Sequence, residues 1–187
     1  MWRYMMVELK RGFTERNKMK FSIRRNVFET NSSSIHSIAI VDNNKTFRYT
    51  KEEAIKELCD HANGVIKNRT LYYDKFPDTD KIFSWGVDIF DDFYHKMLYS
   101  LIDLYSEESF NDESSEFNEL VSFLKKFLDI DKIEVNTKNE KFLTPFGEID
   151  HQSTRLIYDV FQNNHDILLT DFLVDTKYIL IIDNDNH

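Results

Sequence analysis

A single cysteine, Cys59, is all the chain contains. No intramolecular disulfide is possible, and a reducing compartment is the expected home. Four glycines and two prolines exclude collagen-like and low-complexity architectures. Residues 29–37, a run rich in serine and asparagine, hold no glycine, so that run is not the phosphate loop of a P-loop or dinucleotide-binding protein. No apolar run approaches the roughly 18 residues of a membrane span, and the N-terminus lacks the apolar stretch of a signal peptide. The chain therefore reads as soluble and intracellular. Basic residues number 24 against 33 acidic ones, a formal charge of −9, so duplex DNA is not an expected partner.

What the chain does have is core material. Sixteen Phe, nine Tyr and a hydrophobic share of 41% in 187 residues suffice for one domain. The charge is uneven: residues 1–25 carry eight basic side chains against Glu8 and Glu15, a net of +6 that leaves −15 on the remainder. Residues 1–18 show no clear period, and Met19-Lys20-Phe21-Ser22-Ile23-Arg24 reads like a native start. We therefore expect residues 1–18 to be a basic extension, or the product of an upstream start, and residues 19–187 to form one domain.

Periodicity outlines that domain. Residues 21–25 and 35–41 read as strands, and Phe47-Arg48-Tyr49 as a hairpin arm beyond the turn at residues 42–45. Thr50 and Glu53 have capping-box spacing and open a helix whose apolar face is Ala54, Ile55, Leu58, Ala62, Val65 and Ile66. Leu71-Tyr72-Tyr73 reads as a short strand. Two strong helical periods follow, one from Val87 to Tyr105 and one from Phe117 to Leu128. The acidic, serine-rich stretch between them, residues 106–116, reads as a solvated loop. Residues 132–135 form a strand, Asp150 or Ser153 caps a helix containing Leu156 and Ile157, and a shorter helix covers about residues 164–173. The continuous apolar run Tyr178-Ile179-Leu180-Ile181-Ile182 reads as a strand buried on both faces. The expected class is α/β or α+β, a single domain with a central mixed sheet covered by about four to five helices.

Three polar clusters stand at the ends of these elements. The first is Glu29-Thr30-Asn31-Ser32-Ser33-Ser34-Ile35-His36-Ser37, the second Asp150-His151-Gln152-Ser153, and the third Asp183-Asn184-Asp185-Asn186-His187. Ligands collect where loops leave strand ends and where helix N-termini face a crevice. Glu29, Asn31, Ser32, Ser33, Ser34, His36, Asp150, His151 and Asp185 are thus the candidate ligand-binding residues. Hydroxyls and amides would donate to the ligand, with Glu29 and Asp150 orienting donors. Arg24 and Arg25 offer forked donors to phosphate. His36, Asp150, His151, Asp183, Asp185 and His187 include enough ligand types for a divalent ion, yet no two have a metal-site spacing such as HExxH. Each cluster also has a plainer reading, as Asx and Ser turns, a hydrogen-bonded core histidine, a helix cap or a frayed tail.

The run Val27-Phe28-Glu29-Thr30-Asn31-Ser32-Ser33-Ser34-Ile35-His36-Ser37 resembles the signature of an uncharacterised family of small phage- and prophage-encoded proteins, in which FETNSSS, one variable residue and HS recur. Ile149-Asp150-His151-Gln152-Ser153 and Asn184-Asp185-Asn186 are similar to the family's other recurring pieces. The resemblance implies a phage source and a beginning near Met19, so that the intracellular home expected above would be the cytoplasm of an infected bacterial host. It carries no activity. The leading expectation is an accessory protein that interferes with host physiology or defence, by binding a host protein or sequestering a small phosphorylated, nucleotide-like ligand. The alternative is a small enzyme acting on a nucleotide or modified nucleoside, possibly metal-assisted, with His36 and His151 as acid and base. No cofactor, membrane partner or oligomeric state is indicated.

Overall fold

Runs rich in β-branched side chains pair into the larger of two sheets. The computed structural model describes residues 21–23, 35–41, 45–73, 76, 82–83, 86–105, 115–135, 146, 149, 156–157 and 167–183. Strand β1 (Phe21–Ile23), β2 (Ile35–Val41) and two later strands, β5 (Val87–Phe90) and β7 (Tyr178–Asp183), form a sheet in the order β1-β2-β7-β5. All three pairings are antiparallel, with Ile38 opposite Leu180 and Leu180 opposite Phe90. Neighbouring side chains along a strand point to opposite faces. In β2 and β7 both faces are buried, through Ile38 and Leu180 on one side and Ala39 and Ile179 on the other. The expected doubly buried strand is present. At the edge, β5 leaves Val87 and Ile89 46% and 39% exposed.

A smaller sheet joins β3 (Ile66–Lys67), β4 (Thr70–Tyr72) and β6 (Lys132–Glu134). Its first pair is antiparallel and its second parallel. Asn68 and Arg69 form the two-residue turn, both with positive φ (51° and 56°), as a type I′ hairpin turn demands. The Arg69 guanidinium spans Asp129 and Asp131 at 2.9 Å from each. The mixed pairing thus lies in the small sheet and the larger sheet is antiparallel, so the architecture is α+β.

Four helices are defined among the described residues: α1 (Lys51–His61), α2 (Phe93–Leu104), α3 (Glu116–Leu128) and α4 (Leu169–Val174). The capping box opens α1: the Thr50 side chain accepts from the Glu53 N–H, and the Glu53 carboxylate accepts from the Thr50 N–H at 2.8 Å. Helix α1 ends at His61, short of Val65 and Ile66, which the apolar spacing had included. Gly64 (φ 70°) turns the chain there, and Ile66 enters β3. The second departure is larger. The helical period from Val87 conceals a strand: Gly86 (φ 111°) precedes β5, and Asp92 caps α2, accepting from the His95 N–H. Phe47-Arg48-Tyr49 also pairs differently from the expected hairpin arm. It meets the far end of the chain, through a single bridge from Arg48 to Asp175 and a hydrogen bond from the Tyr49 N–H to the Val174 carbonyl.

Helix α2 is the axis of the core. Eleven of its twelve residues are buried, and His95 alone reaches toward solvent. A helix apolar on all sides belongs inside a protein, and the polar side chains of α2 are tied down accordingly. Lys96 donates to the Asp175 and Tyr178 carbonyls, Ser100 to the Lys96 carbonyl, and Asp103 accepts from the Ile157 N–H at 2.8 Å. Phe83, Leu124, Leu156 and Phe172 complete the packing as wholly buried residues. No helix among the described residues is long and apolar enough to cross a membrane.

Candidate functional site

Of the nine candidate ligand-binding residues, His36 alone lies among those described. Glu29, Asn31, Ser32, Ser33, Ser34, Asp150, His151 and Asp185 lie outside them, as do Arg24, Arg25 and His187. Asp183 ends β7, opposite both Ile35 and Val87. His36 is 5% exposed, and its Nδ1 is 2.8 Å from the Tyr99 hydroxyl. This matches the plainer reading of a hydrogen-bonded core histidine.

One turn before Tyr99 on α2, a different cluster meets the surface. Asp92 is the N-cap of α2 and His95 lies in its first turn, so their side chains fall together. His95 Nδ1 is 2.8 Å from both carboxylate oxygens of Asp92. His61, the last residue of α1, is brought alongside by stacking. Its ring lies flat on that of Tyr94, with centroids 3.9 Å apart and planes 9° apart, and it meets His95 edge-on at 5.3 Å. Phe90, at the end of β5, stacks on His95 from another side at 4.4 Å. Each of His61, Asp92 and His95 offers one ligand atom, and these three atoms lie within 4.8 Å of one another. Two strand-to-helix and helix-to-strand junctions therefore converge on one patch.

Behind the patch stands Glu57 of α1. Its carboxylate accepts the Tyr94 N–H at 2.7 Å and is hydrogen-bonded to Asp92 and to Tyr49. Burial pushes the Glu57 carboxyl above the usual range, with Asp92 adding to the shift against the bonds from Tyr49 and Tyr94. Burial also opposes ionisation of Asp92. The hydrogen bonds and charge of His95 outweigh it and hold the Asp92 carboxyl below its ordinary value. The two acids are thus pushed in opposite directions, Glu57 toward its protonated form and Asp92 toward its ionised one. His61 is exposed overall, yet cover over its ring and the neighbouring His95 lower its basicity and favour the neutral imidazole. A neutral imidazole offers a nitrogen lone pair to an incoming proton or ion.

Sequence reading missed Asp92 and His95 for one reason. A helix running from Val87 buries Asp92 in its middle, and the cap, with the Asp92-x-x-His95 spacing it creates, disappears. The cue was the pair Asp91-Asp92 ahead of an apolar run, a helix-start signal. For His61 there was no local cue, since only the packing of α1 against α2 brings it in. No family model, no curated protein and no solved structure matches this chain. What fold and site define is an α+β protein with a His–Asp–His cluster at the start of its central helix.

Proposed function

We propose that this protein is an accessory protein of phage or prophage origin, acting in the host cytoplasm, that takes up a small phosphorylated or nucleotide-like ligand at the cluster of His61, Asp92 and His95. Sequestering such a ligand would be its route to interfering with host physiology or defence. One observation carries the choice of site: His95 alone on α2 is not buried, and Asp92 holds its ring in a fixed orientation. A side chain oriented by a carboxylate and left accessible beside a second imidazole suits ligand contact better than packing. A second reading, a small enzyme acting on a nucleotide, draws support from the same pair of imidazoles 5.3 Å apart. They would take the acid and base roles that the sequence offered to His36 and His151.

A thermal-shift screen of the metal-free chain with nucleotides and sugar phosphates tests this. A ligand at 100 times its Kd raises stability by about 2.7 kcal/mol, a clear rise in melting temperature. That rise should vanish in His95→Asn. Release of product from the same compound would favour the enzyme. If no small molecule shifts the melting temperature and a host protein co-purifies, the ligand reading fails and direct host-protein binding replaces it.

A further inference from the structure

The same cluster has a more specific chemistry. We infer that His61, Asp92 and His95 form a binding site for one divalent transition-metal ion, zinc by class. The inference deepens the proposed site and rests on its being functional, but its test needs no nucleotide.

Donor type comes first. Two imidazole nitrogens and one carboxylate suit zinc and its first-row neighbours, whereas magnesium and calcium seek oxygen ligands alone. Geometry comes second. Ligand atoms on a four-coordinate zinc stand about 3.4 Å apart, given bonds of about 2.1 Å. The three atoms here lie within 4.8 Å of one another, and His95 Nδ1 already stands 2.8 Å from the Asp92 carboxylate. Side-chain rotation on the order of 1 Å, chiefly of the exposed His61, closes the set around an ion.

Capping alone does not explain the arrangement. To cap α2, Asp92 needs only its bond from the His95 N–H, at 2.8 Å. His61 takes no part in that cap, yet it arrives from another helix with its ring held against Tyr94. Glu57 supplies what metal ligands usually have behind them, a hydrogen-bonded partner that fixes the ligating carboxylate. Entry of the ion between Nδ1 of His95 and the Asp92 carboxylate displaces the Nδ1 proton to solvent and leaves the imidazole as its Nε2–H tautomer. Three protein ligands leave the fourth position open to water or to a ligand oxygen. A phosphoryl oxygen fits that position, which links this inference to the proposed ligand class.

The test uses the full chain, untagged and stripped of metal. Zinc is titrated by calorimetry, and cobalt(II) by its visible d–d absorption, into the wild type and into His61→Ala, Asp92→Asn and Asp91→Asn. His61 is exposed and Asn caps helices as well as Asp does, so far-UV dichroism should show all three variants folded. We expect one ion per chain, affinity lowered at least about tenfold in His61→Ala and in Asp92→Asn, and no change in Asp91→Asn. Absence of saturable binding, or affinity that survives either of the first two substitutions, overturns the inference. A chain that takes nucleotides yet shows no saturable metal binding would sink this inference alone. An ion bound with no nucleotide effect would sink only the proposed ligand.

Discussion

Lys96 is wholly buried, its ammonium 3.1 and 3.2 Å from the Asp175 and Tyr178 carbonyls and 5.4 Å from the centre of the Phe172 ring. Burial lowers its pKa from 10.5 to about 8, against the pull of nearby carboxylates led by Asp92. Between those two values the unfolded chain binds a proton that the folded chain does not, so stability rises with pH across that window. The gain is about 3 kcal/mol. Urea denaturation of the metal-free protein at pH 7.5 and 10.5 should show this rise in the wild type and lose it in Lys96→Met; equal slopes would contradict the assignment. Two tyrosines make a sharper pair. The Tyr94 hydroxyl is buried with no hydrogen-bond partner among the described residues, whereas the Tyr99 hydroxyl meets His36. Tyr94→Phe should therefore be neutral or stabilising by up to about 1 kcal/mol, and Tyr99→Phe should cost about 1 kcal/mol or more. A loss in Tyr94→Phe as large as that in Tyr99→Phe would mean the first hydroxyl is satisfied.

At the scale of elements, helix α1 starts where its sequence says it should. Thr50 and Glu53 complete their capping box at the surface, so Thr50→Ala should lower stability by about 1 kcal/mol in a thermal melt followed by far-UV dichroism. An unchanged melt would mean the box is idle. Elements with local signals were legible in this way: β2 occupies residues 35–41 as read, α3 begins one residue before its first apolar anchor, and β7 adds only Asp183 to its apolar run. Where two periods overlap, legibility ends. Val87 and Phe90 sit at helical spacing from Tyr94, yet they belong to a strand, because Gly86 and Asp92 break the chain on either side. The site was lost at that same junction. His61 and Asp92 are neighbours only through the contact of α1 with α2, and a pairing between elements distant in sequence leaves no mark on either segment.

For the whole molecule, one core joins the two sheets and four helices of the described residues, as composition suggested. Its middle is α2, and the cluster of His61, Asp92 and His95 lies where that helix meets the surface. His36, on β2, is connected to the cluster through the rings of Tyr99 and Phe83. The proposed ligand and the proposed ion both depend on chemistry at this centre. Crystals of the protein grown with cobalt(II), measured at the cobalt absorption edge, test it most directly. One strong anomalous peak is expected about 2.0–2.2 Å from a nitrogen of His61, a nitrogen of His95 and an oxygen of Asp92. A peak at other residues, or none in protein saturated with the ion, would contradict it.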